Sequence, residues 1–390
     1  MQHRITVLGA GYAGTWAAGY LARRLRREDA AITVVNAEPD FVERLRLHQV
    51  AAGQDLKPRP LADVFAGTGI RFRQARVTAV DADAKAVSLD DGAIEYDTLL
   101  YALGSTVADR GVPGVAEHAH HVAGRPAALR LRERLDGLAS GTVLVVGGNL
   151  TAIEAATEIA ESRPGLRIVL ATSGELGGWL GAKARRHLRA AFDRLGIAIH
   201  EHAEITEVTA TGAVADGRAF TADATVWAAG FAAHPIAAAS GLDVHETGQI
   251  LVDRQMRSLS HPGVYAAGDS VFSLAEDGEV LPMSCASAGF TSMQAANAII
   301  ADLTGTRADR IPLAYYGNHI SLGRKDAVFQ AFHLGSRSTS WSLQGRTAAR
   351  LKNGILTGAA YGVAHPTYGL PLRRRRLNAA RTHANQTVPV

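Results

Sequence analysis

The chain opens with a short apolar run, a helical stretch and a second apolar run. Residues 4–8 are mostly apolar and β-branched, which is typical of a buried strand. Residues 15–27 have the composition of a helix, and residues 32–36 are again apolar and β-branched. This pattern predicts a βαβ unit, in which one helix connects two parallel strands.

Three glycines lie between the first strand and the helix. Gly9, Gly11 and Gly14 form a GxGxxG pattern that follows the strand directly and opens the helix. In this position the first glycine permits a tight turn, the second lets the backbone approach a pyrophosphate, and the third lets the helix pack on the strand. The helix N-terminus also offers free N–H groups to phosphates. We interpret the turn as a dinucleotide-binding fingerprint; a glycine-rich turn without a ligand is the alternative.

The second strand ends differently from the usual pattern. An acidic residue normally follows here and holds the ribose hydroxyls, but this chain has Asn36. An amide also bonds a hydroxyl, and Glu38 lies two residues further along. We therefore expect an altered ribose contact from Asn36 and Glu38.

The same design recurs in the middle of the chain. Residues 142–146 and 167–171 predict strands, and residues 153–161 between them predict a helix. The turn that precedes this helix contains Gly147, Gly148, Asn149 and Ala152. Two dinucleotide folds imply two nucleotides, or one nucleotide and a degenerate partner fold.

Three later strands end at residues that suit a ligand. Residues 96–104 and 225–230 are apolar runs that each end in glycine. Residues 262–267 predict a strand that delivers Gly268 and Asp269 just beyond its carboxyl end. Ligands bind at this edge of parallel sheets, so Asp269 is placed to hold a ribose or polyol hydroxyl.

Composition narrows the class of protein. The formal net charge is +4 and the pI is about 9.3, and much of the excess lies in Arg373–Arg376, which we expect to form a solvated tail. Nucleic-acid binding is therefore disfavoured. Cys285 is the only cysteine, which excludes disulfides, a thiolate zinc cluster and a CxxC pair within the chain, and we predict no metal site. No apolar run has membrane-spanning length, so we expect a cytoplasmic protein that is soluble or peripherally attached.

Together, these motifs resemble the two-dinucleotide-fold flavoprotein oxidoreductases, the pyridine nucleotide-disulphide-like superfamily. The resemblance implies an α/β fold with two Rossmann-like domains in a glutathione-reductase-like arrangement and a small C-terminal α+β cap. It implies a discontinuous FAD domain at residues 1–119 and 251–308, an NAD(P)H domain at 120–250, and a cap with a basic tail at 309–390. The implied FAD contacts are Gly9, Gly11, Gly14, Asn36, Glu38, Arg46, Gly104, Gly268 and Asp269, with Asp269 on the ribityl chain. The implied NAD(P)H contacts are Gly147, Gly148 and Asn149.

Within this superfamily the missing dithiol excludes the disulfide reductases. Residues 41–53, Glu154 and residues 320–324 are most similar to the type II NADH dehydrogenase branch and its soluble actinobacterial relatives. That branch passes a hydride from NAD(P)H to FAD and then electrons to a quinone. The catalytic residues that the resemblance implies are Glu154, His48, Gln294 and His319.

Ordinary structural roles compete with each of these assignments. Glu154 also suits the first turn of a helix as a carboxylate that favours the dipole. His48 suits a surface or capping position, and His319 suits a hydrogen-bonded core. Cys285 fits core packing better than nucleophilic chemistry. Pro282, Phe290 and Met293 depart from the branch around the acceptor helix, so another aromatic acceptor competes with a membrane quinone.

The C-terminal region predicts a small cap of strands and a helix. Residues 347–363 carry Leu351, Ile355 and Ala359 at fourfold spacing. In membrane-bound relatives such helices lie on the bilayer, but an interfacial helix has bulkier apolar residues than this one. We expect the helix to pack as a cap or at a homodimer contact.

The second fingerprint is altered at its most sensitive position. Asn149 replaces the second glycine, and its side chain occupies space that the pyrophosphate needs. Asparagine tolerates positive φ, so the turn itself can persist. Two features favour NADPH over NADH: Ala152 replaces the third glycine, and Thr172 has no acidic neighbour. We expect weakened or absent nicotinamide binding.

Three classes of function follow. The first is an NAD(P)H-dependent flavin oxidoreductase that acts on a quinone or another small aromatic molecule. The second is a flavoenzyme that its own organic substrate reduces and oxygen reoxidises, with the second fold kept as a scaffold. The third, a non-catalytic flavin-binding or nucleic-acid-associated protein, is disfavoured because the basic residues are not interleaved with aromatic residues.

Overall fold

The computed structural model describes residues 2–333, 338–369 and 372–378. In these residues the α-helices are α1 (Tyr12–Arg24), α2 (Leu47–Ala51), α3 (Leu61–Phe65), α4 (Val115–His118), α5 (Arg125–Asp136), α6 (Leu150–Ser162), α7 (Ala182–Arg194), α8 (Ile236–Ala239), α9 (Cys285–Thr304) and α10 (Gly345–Ala364). Short 3₁₀ turns lie at Arg44–Arg46 and Gly268–Ser270.

The β-strands up to residue 171 are β1 (His3–Leu8), β2 (Ala30–Asn36), β3 (Ile70–Gln74), β4 (Val77–Asp81), β5 (Ala86–Leu89), β6 (Gly92–Glu95), β7 (Thr98–Tyr101), β8 (Ser105–Val107), β9 (Ala119–His120), β10 (Gly141–Val146) and β11 (Leu166–Ala171). The remaining strands are β12 (Ala198–His200), β13 (Ile205–Thr209), β14 (Gly212–Ala215), β15 (Arg218–Thr221), β16 (Ala224–Trp227), β17 (Phe231–Ala233), β18 (Ile250–Leu251), β19 (Val264–Ala266), β20 (Val271–Phe272), β21 (Gly317–Ser321), β22 (Ala327–Phe332) and β23 (Ser338–Gln344). Both predicted βαβ units are present.

The first parallel sheet has the strand order β19-β7-β1-β2-β3. Strands β1 and β2 pair in parallel from His3 opposite Ala30 to Leu8 opposite Val35. Because all five strands run the same way, their carboxyl ends bring the Gly9 turn, Asn36, Gly104 and Gly268 to one edge. The buried core of this sheet includes Ile5, Leu8, Leu99 and Leu100.

The second parallel sheet has the order β12-β11-β10-β16-β9 and repeats this design. Apolar clusters cover both of its faces, as expected for a parallel sheet between helices. Along the chain, β1, β2, β3 and β7 of the first sheet precede the strands of the second sheet, and β19 follows them. We therefore propose that the first domain is discontinuous and that the second is inserted into it. The proposed boundary at residue 120 falls inside β9, which pairs with β16 at residues 119–120.

A three-stranded antiparallel sheet, β21-β22-β23, precedes α10 and forms the cap. The buried side of α10 differs from the sequence prediction. Its buried residues are Ala348, Lys352, Leu356, Ala360 and Val363. Leu351 and Ile355 of the predicted apolar stripe are instead 40% and 37% exposed. The helix therefore buries a lysine and exposes two apolar side chains, and the homodimer contact stays a prediction.

The basic tail also differs from its prediction. Helix α1 ends at Arg24 rather than Arg27, because Leu25 is extended and forms a parallel bridge with Arg375. Arg375 donates its backbone N–H to Arg24 O at 2.7 Å and accepts from Arg26 N at 3.2 Å. The backbone of the tail is thus bound along the end of α1, although Arg373, Arg374 and Arg376 are exposed to solvent. Residues 379–390 of the predicted cap lie outside the described residues. Across the described ranges, no helix is both long and apolar enough to span a bilayer.

Candidate functional site

The first fingerprint turn has the geometry that a pyrophosphate requires. Gly9 has a φ of +95°, and a Cβ built on it lies 2.3 Å from Ala102 O. A Cβ on Gly14 lies 1.9 Å from Gly9 O, so helix and turn are in close contact. Gly11 is different, because a Cβ there meets no atom within 4 Å. The turn therefore leaves open space over Gly11, at the N-terminus of α1, where the fingerprint places a pyrophosphate.

Asn36 supports this turn from the end of β2. Its Oδ1 accepts from Ala10 N at 2.9 Å, and its Nδ2 donates to Glu38 O at 2.9 Å. Both ends of the amide are thereby engaged with backbone. Asn36 holds the turn in shape, and the Glu38 carboxylate is the remaining candidate for the ribose contact.

Asp269 lies at the same edge of the sheet, within a polar network that the sequence did not reveal. Ser105 Oγ donates to Asp269 Oδ2 at 2.6 Å. Arg44 donates to Ser105 O at 2.9 Å and to Ser105 Oγ at 3.1 Å, and its Nη1 lies 3.9 Å from Asp269 Oδ2. Gly104 donates its N–H to Ser270 Oγ at 2.9 Å, and Gly268 donates to Thr291 Oγ1 at 3.0 Å. Arg44, rather than the predicted Arg46, therefore reaches the cofactor edge.

The start of α9 faces the same region. Ser284 caps the helix by accepting from Ser287 N at 3.1 Å. Burial, together with the charge of Asp269, raises the pKa of Cys285 to about 12, so its thiol stays protonated near neutral pH. Cys285 thus matches its predicted packing role. The open space at Gly11, the Asp269 network and this helix N-terminus together fit an extended FAD.

The second turn keeps the backbone shape of the first. Asn149 has a φ of −84° and a ψ of 179°, close to the −72° and −168° of Gly11. The turn therefore does not depend on the ability of asparagine to adopt a positive φ. The side chain folds back into the turn, where Oδ1 accepts from Ala152 N at 3.1 Å and Nδ2 donates to Ala228 O at 2.8 Å. Asn149 thereby caps α6, while its Cβ projects as a Cβ at Gly11 would.

A buried ion pair joins α6 to the cap. Lys352 Nζ donates to Glu154 Oε1, and the two side chains are only 5% and 12% exposed. Ser321 N donates to the same oxygen at 3.0 Å, and His319 O accepts from Lys352 Nζ at 3.4 Å. Burial alone would raise the pKa of Glu154, but Lys352, His48 and these hydrogen bonds hold it below its usual range. The site therefore contains a carboxylate and an ammonium group, both charged in apolar surroundings.

Two neutral histidines flank this ion pair. His48 Nδ1 lies 3.7 Å from Glu154 Oε2, and His48 Nε2 is buried without a partner among the described residues. His319 Nδ1 is likewise buried and unpartnered in that part of the chain. Burial lowers the pKa of each ring to about 4, aided by the charge of Lys352. The structure thus brings Glu154, His48 and the His319 backbone together and adds Lys352, while the catalytic roles of these residues stay a prediction.

Gln294 and Arg46 have other partners than those predicted. Gln294 is 1% exposed; its Oε1 accepts from Ile311 N at 2.7 Å and its Nε2 donates to Gln255 Oε1 at 2.6 Å. These bonds fix the loop before the cap, so the amide is not directed at a substrate. Arg46 donates to Asn353 Oδ1 of α10 at 3.1 Å and lies 3.4 Å from Glu43. Arg46 therefore ties the α2 region to the cap.

His48 makes folding stability depend on pH. Its pKa is about 4 in the folded protein and about 6.5 in an unfolded chain, so between these values only the unfolded chain takes up the proton. This contribution is fully present above pH 6.5 and is lost as the pH falls towards 4. Between pH 7.5 and pH 5 we expect a loss of about 2 kcal/mol in the free energy of unfolding from this residue.

Urea unfolding of the wild type and of His48→Gln at both pH values checks this. The variant should show a pH difference smaller by about 2 kcal/mol. His365→Gln, at an exposed histidine, is the matched control and should behave as the wild type does. An unchanged pH difference in His48→Gln would refute the assignment.

The fold and this site define an α/β oxidoreductase with two dinucleotide-binding folds. Residues 3–299 match the model of the pyridine nucleotide-disulphide oxidoreductase family, so the chain belongs to that family. This membership confirms the predicted superfamily and fold class, the assignment as an FAD-dependent oxidoreductase, and FAD as the cofactor.

Similar proteins indicate the branch of the family to which this chain is related. The chain is 30% identical over 350 residues to an NADH dehydrogenase-like protein of Mycobacterium tuberculosis, covering 84% of this chain and 87% of that protein. It is 24% identical over 395 residues to a type II NADH:quinone oxidoreductase of Staphylococcus aureus, covering 93% and 96%. Among solved structures, the sulfide:quinone oxidoreductase of Aquifex aeolicus superimposes with a TM-score of 0.78 at 20% identity, covering 97% of each chain. These similarities support the predicted relation to NADH dehydrogenases that act on quinones.

Proposed function

We propose that this protein passes electrons from NAD(P)H through FAD to a quinone or a related flat aromatic acceptor. The observation that carries the proposal is the buried Glu154–Lys352 pair, with His48 and His319 beside it. These residues come from α6, α10, α2 and β21, so both dinucleotide folds and the cap meet there. Perturbed ionisable groups at such a junction are typical of a reaction site.

The residues present fit FAD at the first fold. The Gly9–Gly14 turn would hold the pyrophosphate, Glu38 the ribose, and Asp269 with Ser105 and Arg44 the ribityl hydroxyls. When bound, FAD supplies two-electron chemistry between a hydride donor and an acceptor. The chain itself positions the reactants and controls charge and protons around them.

Lys352 and Glu154 suit the charge change at an acceptor. An acceptor oxygen gains negative charge on reduction, and a preorganised ammonium group in a site of low polarity stabilises that charge strongly. Glu154 holds the Lys352 side chain in place through their buried ion pair. Phe290 of α9 and Tyr316, which directly precedes β21, have rings 5.9 Å apart, and aromatic side chains of this kind suit a flat ring.

Polar groups link this acceptor region to the Asp269 network. The Tyr315 hydroxyl bonds Asn318, and Tyr315 lies close enough to Cys285 and Glu154 for both to influence its pKa. Cys285 lies within reach of the Asp269 charge in turn. Asp269, Cys285, Tyr315 and Glu154 thus lie near one another in turn, which supports one continuous site for cofactor and acceptor.

One observation favours a second candidate function. The Asn149 side chain is held inside the nicotinamide turn by two hydrogen bonds, which supports a weakened nucleotide site. A flavoenzyme reduced by its own organic substrate would need no nucleotide there. The two candidates share the acceptor and flavin region and differ in the electron donor.

The acceptor half of the proposal is tested with Lys352→Met. Enzyme reduced by dithionite is mixed without oxygen with a short-chain quinone, and flavin reoxidation is followed. We expect reoxidation at least about tenfold slower in the variant, since one ammonium group near the acceptor contributes more than about 1.4 kcal/mol to the transition state. Arg350→Met changes an exposed cation on the same helix and should have no effect.

A second variant separates chemistry from stability. Lys352→Met leaves the Glu154 carboxylate buried and unpaired, which costs about 3–5 kcal/mol. Glu154→Gln combined with Lys352→Met removes both charges and should regain most of that stability while quinone reoxidation stays slow. A double variant with wild-type reoxidation would show that Lys352 is structural only and would contradict the acceptor assignment.

A further inference from the structure

Two arginine clusters that are far apart in sequence meet at the end of α1. The first consists of Arg23, Arg24, Arg26 and Arg27, and the second is Arg373–Arg376. The bridge between Leu25 and Arg375 holds the two segments together through backbone hydrogen bonds, and Arg375 Nη1 donates to Thr306 Oγ1 at 2.8 Å. Like charges thus lie close together, and Arg26 also lies 4.0 Å from the Glu28 carboxylate.

A cavity of about 420 Å³ opens between these clusters. Its described lining residues are Arg23, Arg27, Gly67, Thr68, Thr367, Gly369, Leu372 and Arg374. Three guanidinium groups and two threonines line it, and no acidic side chain does so among the described residues. Guanidinium forks are the chemistry that binds phosphate in bidentate geometry. The Thr68 hydroxyl already donates to Phe65 O at 2.6 Å, so the arginines are the donors available to a ligand.

Two glycines set the positions of the guanidinium groups. Arg27 lies flat against Gly69, where a Cβ would be 2.6 Å from Arg27 Nε, and donates to Gly67 O at 2.9 Å. Arg23 lies against Gly369, where a Cβ would be 2.6 Å from Arg23 Nη2. Any larger residue at Gly69 or Gly369 would displace its arginine. These contacts therefore hold Arg23 and Arg27 in place, whereas Arg374 lines the cavity as an exposed side chain.

The cavity lies at the opposite edge of the first sheet from the cofactor site. Gly67 and Thr68 lie within three residues of the start of β3, and Arg27 lies between α1 and β2. All three residues therefore border the amino ends of the strands. Gly9, Gly104 and Asp269 lie at the carboxyl ends. A ligand in this cavity is therefore distinct from FAD and from NAD(P)H.

We propose that this cavity binds a phosphate group, carried either by a soluble phosphorylated metabolite or by the headgroup of an acidic phospholipid. Its volume is large enough for a ligand of small-metabolite size. Arg27 and Arg374 supply exposed guanidinium donors, and the partly buried Arg23 also lines the cavity.

The test uses the full FAD-loaded protein and two probes. Inorganic pyrophosphate is titrated by calorimetry at constant ionic strength, and binding to phosphatidylcholine vesicles with and without phosphatidylglycerol is measured by flotation. The variants are Arg27→Gln and Arg374→Gln. Arg373→Gln is the matched control, because it removes the same charge from an exposed neighbour that does not line the cavity.

We expect one pyrophosphate per chain, bound at least about tenfold more weakly in both cavity variants and changed less than about twofold in Arg373→Gln. This result without vesicle binding identifies a soluble ligand. A lipid headgroup is identified if the protein floats with vesicles that contain phosphatidylglycerol. In that case pyrophosphate should compete with the vesicles, and the same two variants should float less. Binding that Arg373→Gln weakens equally, binding that is unaffected by the cavity variants, or no binding of either probe would overturn the proposal.

Discussion

Gly11→Val should yield a folded protein that cannot hold FAD. A Cβ at Gly11 meets no atom within 4 Å, so valine introduces no clash within the chain itself. The added side chain instead fills the space over the turn where backbone and pyrophosphate meet. Because several hydrogen bonds from the helix N-terminus are lost together, we expect an affinity loss well beyond about a hundredfold.

The measurement is the flavin absorbance of purified protein, followed by titration of the apoprotein with FAD. Circular dichroism should show an unchanged fold. Gly354→Val is the matched control, since Gly354 also has open space around it but lies on α10. Stoichiometric FAD in Gly11→Val would contradict the assignment of the first turn. Gly9 and Gly14 would not serve here, because a Cβ at either clashes with backbone and would disturb the fold.

Asn149→Gly should bind NAD(P)H much more tightly than the wild type does. The two turns share one backbone shape, so the Asn149 Cβ projects where the pyrophosphate would approach. An obstruction that costs about 3 kcal/mol weakens binding by more than about a hundredfold, and glycine removes it. The lost helix cap costs only a few tenths of a kcal/mol, because glycine is itself a tolerated N-cap residue.

Asn149→Asp is the matched counterpart. It retains the size of the side chain and the cap to Ala152 N, loses the donation to Ala228 O, and places a negative charge beside the phosphates. The concentration of NAD(P)H that gives half-maximal flavin reduction should therefore rise from the glycine variant to the wild type to the aspartate variant. An equal value in all three would show that the turn does not contact the nucleotide.

The fold was largely predictable because its signals are local. The βαβ units follow from apolar runs and glycine spacing within about thirty residues, and β1, α1, β2, β10, α6 and β11 appear where these patterns indicate. Helix α1 ended early only because a segment 350 residues later, at Arg375, bridges to Leu25.

The candidate site was only partly predictable because its contacts are long-range. Glu154 and Lys352 are 198 residues apart, and Ser105 and Asp269 are 164 apart. One signal was available for Lys352, since it lies four residues after Ala348 and four before Leu356 on one face of α10. The Leu351 and Ile355 stripe obscured it, because their apolar character suggested the wrong buried face. The partners of Gln294 could not be predicted, because Gln255 and Ile311 come from loops without a sequence pattern.

The most direct test of NAD(P)H-dependent flavin reduction is anaerobic rapid mixing of the wild-type protein with NADH and with NADPH. Flavin bleaching is followed as the nucleotide concentration increases. We predict reduction by at least one nucleotide, slow and far from saturation, with Asn149→Gly faster and saturating at lower concentration. Fast wild-type reduction that saturates at low micromolar nucleotide would confirm the dehydrogenase and refute the obstruction by Asn149. No reduction by either nucleotide, in the wild type or in Asn149→Gly, would contradict the proposed function and favour a flavoenzyme reduced by its own substrate.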